Sequence, residues 1–152
     1  SVIDFGGNDI TVGEKSVAVM LQNGGQLNNT LHNINVGKAG VGIYLADATN
    51  IISPAARTIN LAEDATGMYG ANGGNIQLAG SILSTADGAK GIASKNSALS
   101  TIENAGSIDL LGKASVGMYG EGIDTIKNNA GKTVTVSSAF NDTLNKIHWK
   151  QK

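Results

Sequence analysis

The chain has no cysteine, which excludes disulfides and thiolate metal sites. It has a single proline, Pro54, and only 4% of its residues are aromatic. A compact globule of 152 residues ordinarily fills a thick interior with Phe, Tyr and Trp, so this composition points to a narrow core of small apolar side chains. No apolar run approaches the ~20 residues that span a bilayer as a helix. The formal net charge is −1 with 15% charged residues. That balance offers no basic excess for nucleic acid and no basic amphipathic helix for a membrane surface. The sequence opens on Ser1-Val2-Ile3 with no visible signal peptide, which reads as a mature chain or an excised segment.

Glycine, by contrast, is abundant at 21 residues, and asparagine is frequent; both tolerate positive φ and mark tight turns. The turns recur with a period. Gly42-Ile43-Tyr44, Gly67-Met68-Tyr69 and Gly117-Met118-Tyr119 have looser copies at Ala18-Val19-Met20 and Gly91-Ile92-Ala93. Their apolar residues, Val19, Ile43, Met68, Ile92 and Met118, are 24, 25, 24 and 26 positions apart. A further step falls on Leu144, where the pattern has decayed. A second landmark, a short β-favouring run beginning at Ile10, Ile34, Ile59, Ile82, Ile108 and Val134, steps by 24, 25, 23, 26 and 26. A third run closes each unit, as at Asn75–Leu78, Thr101–Gly106 and Thr125–Asn128, with Ile51 and Ile52 in that place in the second unit.

Runs this short with period two are strands, and they cannot pair within their own unit. Pairing in parallel with the equivalent run one unit on gives a β-solenoid whose rungs lie ~4.8 Å apart. The expected fold is therefore an all-β, right-handed parallel β-helix of about six rungs, with three strands in each. Residues 1–9 are expected to form part of a preceding rung or cap, 10–138 the repeats, and 139–152 a cap or tail. In that tail Leu144, Ile147 and Trp149 are available to cover the open core. Leucine-rich and helical repeats are excluded by the absence of their signatures.

Alternation assigns directions to side chains. Val17 and Val19, Val41 and Ile43, and Val116 and Met118 are expected to point inward, with the intervening Gly outward. Lys90 interrupts that column, which predicts a local bulge or outward turn. Tyr44, Tyr69 and Tyr119, with Met20 and Ala93, are then expected on the outer surface. Two readings of them stand: a face for sugar rings or protein partners, or rings that merely stabilise the sheet, which is the simpler. A charge ladder, Glu14, Lys38, Glu63, Asp87 and Lys113, should project from one turn. It reads as a solvated turn, with a cation site at Glu63, Asp64 and Asp87 as the alternative and Lys90 available to offset the like charges.

Catalytic signals are missing. His32 and His148 lack metal-ligand spacing, no Gly-x-Ser-x-Gly elbow occurs, and the Gly67–Gly74 stretch lacks the ending of a phosphate loop. Polysaccharide-cleaving β-helices need clustered carboxylates and a basic residue on one face. Here the sole arginine is Arg57, and Asp109 and Asp124 have no evident basic partner. No catalytic residue, metal site or cofactor is expected.

Gly112-Lys113-Ala114-Ser115-Val116-Gly117-Met118-Tyr119-Gly120, with Ile102–Ile108 before it, resembles repeats of large fusobacterial autotransporter adhesins, and Asp64–Gly70 looks like the same unit. The resemblance covers about residues 10–136. It implies a passenger domain displayed at the surface of a Gram-negative cell, outside the membrane, adhering to host or bacterial cell-surface proteins or glycans. The membrane barrel that anchors such passengers has no counterpart in this sequence, and none of the family's ligand-binding residues maps onto it. A solenoid stacking end to end into fibres and a polysaccharide-acting enzyme are the alternatives.

Overall fold

The computed structural model describes residues 2–3, 6–27, 33–46, 51–53, 57–71, 74–95, 100–121 and 125–136. After β1 (Val2–Ile3), the chain winds repeatedly through three short strands. The first turn is β2 (Ile10–Val12), β3 (Val17–Leu21) and β4 (Gln26–Leu27). The second is β5 (Asn33–Val36), β6 (Val41–Ala46) and β7 (Ile51–Ser53), and the third β8 (Thr58–Leu61), β9 (Thr66–Ala71) and β10 (Gly74–Leu78). The fourth is β11 (Ser81–Ser84), β12 (Lys90–Lys95) and β13 (Ser100–Asn104). The fifth is β14 (Ser107–Leu110), β15 (Val116–Glu121) and β16 (Thr125–Asn128), followed by β17 (Thr133–Val136). There is no helix among the described residues.

Each strand pairs in parallel with its equivalent one turn away. Sheet one contains six strands, β2, β5, β8, β11, β14 and β17. Sheet two contains five, β3, β6, β9, β12 and β15, and sheet three four, β7, β10, β13 and β16. β4 pairs with β1 instead. The protein is thus a parallel β-solenoid, but with about four complete turns and not six. All three sheets run continuously only from the second turn to the fifth, because β4 joins the preceding strand and β17 alone follows β16.

The core is a stack of files. In sheet one Ile10, Ile34, Ile59, Ile82, Ile108 and Val134 are in register, and the four central isoleucines are fully buried. In sheet two Val19, Ile43, Met68, Ile92 and Met118 are in register and all buried. Burying each such side chain contributes ~1.5–3 kcal/mol. Sheet three adds Ile76, Leu78 and Ile102, together with a buried asparagine, Asn104. The amide of Asn104 is satisfied at the corner: Nδ2 donates to Asn128 Oδ1 and to the Thr133 carbonyl, and Oδ1 accepts from the Gly106 N–H. Those bonds offset the cost of burying a polar group.

Sheet two departs from simple alternation, and two expectations fail there. Val17 is 40% exposed, and Val41 and Val116 are only partly buried. The residues that turn inward with Ile43, Met68 and Ile92 are the glycines just before them. A Cβ on Gly67 would lie 2.7 Å from the carbonyl oxygen of Gly91 in the next turn and 2.7 Å from Ile82 Cδ1 in the core. Gly42 and Gly91 meet the following turn's backbone in the same way. Two consecutive inward residues form a bend, and only glycine leaves room for the neighbouring backbone there. The bend reverses the parity of everything before it. Lys90 therefore belongs to a column with Val17, Val41, Thr66 and Val116 that is exposed at Val17, half-buried at Val41, Lys90 and Val116, and buried at Thr66. It pairs in register with Thr66 and Val116 without a bulge, and half-buried, its ammonium reaches the Gly88 carbonyl.

The connection from sheet one to sheet two is also stacked. Lys15, Ala39, Asp64, Gly88 and Ala114 all adopt positive φ, between 55° and 73°. Their N–H groups tie successive turns: Lys15 donates to the Lys38 carbonyl, Ala39 to Glu63, Asp64 to Asp87 and Gly88 to Lys113. This repeated hydrogen bond holds the left-handed conformation at residues other than glycine, against its intrinsic cost of about 1–2 kcal/mol each.

Candidate functional site

Past the glycine bend, alternation resumes and aims one residue per turn out of sheet two. Met20, Tyr44, Tyr69, Ala93 and Tyr119 form this column, paired in register. The rings of Tyr44 and Tyr69 have centroids 5.3 Å apart with planes tilted by 36°. The Tyr119 hydroxyl donates to Glu121 Oε2 at 3.0 Å. Ala93 points outward yet is only 5% exposed, because the larger side chains of Tyr69 and Tyr119 flank it. Burial, then Tyr44 and the Glu121 carboxylate, push the Tyr69 hydroxyl above its usual pKa. The result is an aromatic surface with a carboxylate at one end. It can stack flat rings and accept a hydrogen bond.

The charge ladder follows the stacked turns. Lys38 Nζ lies 2.7 Å from Glu63 Oε1, an exposed ion pair. The hydrogen bond and charge of Glu63 raise the Lys38 pKa, with Glu14 and Asp64 adding to the effect. The Asp87 carboxylate accepts the backbone N–H of Lys113 at 2.8 Å. Lys90 does not offset Glu63 and Asp87, since its ammonium donates to the Gly88 carbonyl on its own turn. Among the described residues no three His, Asp or Glu side chains are grouped to hold a metal ion, so Glu63, Asp64 and Asp87 do not form a cation site.

Arg57 is fully buried at the entrance to β8, and burial lowers its pKa to about 10. It is therefore not on an outer face. His32, His148, Asp124 and the tail residues Leu144, Ile147 and Trp149 lie outside the described residues.

Alternation did not single out the outer surface of sheet one, which bears its own column: Thr11, Asn35, Asn60, Leu83, Asp109 and Thr135. The middle residues of the first landmark carry it, and reading that run as a column would have found it. The site geometry and fold together define a parallel β-solenoid with an aromatic outer face on one sheet and a polar, partly apolar one on another. Comparisons with protein-family models, with curated proteins and with solved structures give no match.

Proposed function

We propose that the chain is a non-catalytic segment of a bacterial surface autotransporter adhesin, a rigid rod whose outer surface contributes to cell adhesion. The observation that carries this reading is the stacked file of Tyr44, Tyr69 and Tyr119 on one outer face. Rings of this kind, half-buried with one face toward solvent, suit sugar or protein surfaces in addition to stabilising the sheet. The sequence resemblance at Asp64–Gly70 and Gly112–Gly120 falls on this same region. In this reading the protein sits outside the cell and takes no cofactor, and its partner is a cell-surface protein or glycan.

Glycan-array and cell-adhesion assays on the chain test the proposal. Replacing Tyr44 and Tyr69 together with alanine should abolish the binding while leaving the solenoid folded. Unchanged binding would remove the tyrosine face from the account, and no binding by the unaltered chain would remove adhesion itself. A second reading, self-assembly into fibres, draws support from the exposed Val17 and Met20 on the edge strand β3. Filaments that lengthen with concentration in electron microscopy would favour it.

A further inference from the structure

The outer column of sheet one contains an incomplete polar ladder. Asn35 Nδ2 donates to Thr11 Oγ1 at 3.2 Å, and Asn60 Nδ2 donates to Asn35 Oδ1 at 2.9 Å. Both amides donate toward the N-terminal end, so each leaves its oxygen for the following turn. After Asn60 that turn presents Leu83, which has no donor. The ladder ends on an acceptor facing an apolar side chain.

One turn beyond Leu83 stands Asp109, half-buried. Its carboxylate has no hydrogen bond or ion pair among the described residues. Leu83 is 37% exposed and Leu111 58%. Asn60, Leu83, Thr85, Asp109 and Leu111 line one open groove of about 400 Å³. A second groove of about 300 Å³ shares Asn60 and Leu61 with it and runs back along Asn35 to Thr11. The two acceptors lie on either side of Leu83 across two turns, roughly 10 Å at the spacing of paired strands, with Leu111 beside Asp109.

An apolar floor with acceptors at both ends suits an aliphatic stem that carries a donor-rich cation. The guanidinium of arginine offers five donors in a planar fork and buries its stem on apolar surface. The joined grooves follow the axis over four steps, about 19 Å, the reach of some six residues of extended chain. We infer that this groove docks an arginine side chain from an extended segment of a partner protein. The stem lies on Leu83, the guanidinium bonds to the Asp109 carboxylate beside Leu111, and a backbone N–H of the segment donates to Asn60 Oδ1. This surface is on a different sheet from the tyrosine file and does not depend on it.

The test is an NMR titration of the whole chain with acetyl-Val-Arg-Val-amide, and with the same tripeptide carrying citrulline, the neutral isostere of arginine. Shifts should cluster at Leu83, Thr85, Asp109 and Leu111. Binding should weaken about tenfold with the citrulline peptide and about tenfold in Asp109→Asn, the loss expected for a charge-assisted hydrogen bond. Leu111→Ser should also weaken it. Equal binding of the two peptides, no localised shifts up to the solubility limit, or unchanged binding in Asp109→Asn would overturn the inference. Putrescine binding as tightly as the arginine peptide would assign the groove to free polyamines and overturn the docking role. The citrulline comparison uses the unaltered chain, so it decides the matter even where a variant fails to fold.

Discussion

Sheets one and two share the same turns, the same registers and the same stacking rule, yet they differ in how side chains alternate. In sheet one the period of two holds from end to end, with isoleucines inward and Thr11, Asn35, Asn60 and Leu83 outward. In sheet two the period breaks at Gly42, Gly67 and Gly91, where the chain bends against the next turn's backbone. The contrast teaches that the repeat fixes which residues stack, whereas local geometry decides which way each stack faces. A straight strand can be read by parity alone. A bent one requires knowledge of the backbone above it.

The contrast can be broken most severely from the sheet-one side. Ile82→Ala removes the centre of a fully buried file and should cost about 3–4 kcal/mol in chemical denaturation. A loss below about 1 kcal/mol would mean that the file does not carry the core. In sheet two, Gly67→Ala places a methyl group against the Gly91 carbonyl and Ile82 and should cost about 2 kcal/mol. A neutral result there would remove the bend. Lys90→Val is the sharper test of direction. Since the Lys90 side chain is half-buried and its ammonium is hydrogen-bonded outside the core, stability should change by less than about 1 kcal/mol. A gain of several kcal/mol would place that column in the core after all.

The smallest expected effect lies on the tyrosine face. The Tyr69 hydroxyl has its pKa raised above the ordinary 10.0. Its neutral form is favoured in the folded chain. The associated stabilisation is complete below the ordinary tyrosine pKa and is lost as the pH rises through the higher folded value. An ultraviolet difference titration should show native absorbance changes delayed relative to the denatured chain, with the delay shortened in Glu121→Gln and in Tyr44→Phe. A native titration coinciding with the denatured one would contradict the packing described around that ring.

Much of this fold is legible in the sequence. The steps between Ile10, Ile34, Ile59, Ile82 and Ile108 are the spacings of the paired strands, and the file from Val19 to Met118 is in register as the repeats align it. Both signals are local in sequence and repeat, so each copy reinforces the others. The inward turn of Gly67 was not legible, because its cause is a carbonyl in the following turn. The left-handed backbone at Lys15 and Ala39 was hidden for the same reason: neither residue favours positive φ, and hydrogen bonds between turns stabilise it. On the outer faces, the neighbouring tyrosines could be read from the repeat. The free carboxylate of Asp109 could not, since Thr135 beside it carries a hydroxyl and only the side-chain geometry shows that the two do not bond.

The claim beneath all of this is that equivalent residues of successive turns lie directly beside one another. The absence of cysteine makes a direct measurement possible, by oxidising chains with introduced cysteine pairs and quantifying the disulfide. Asn35→Cys with Asn60→Cys joins residues paired in register, about 4.8 Å apart and within disulfide reach. Asn35→Cys with Thr58→Cys is offset by two positions along the same face, beyond that reach. The account predicts near-complete bonding in the first pair and little in the second; equal bonding in both, or bonding only in the offset pair, would contradict it.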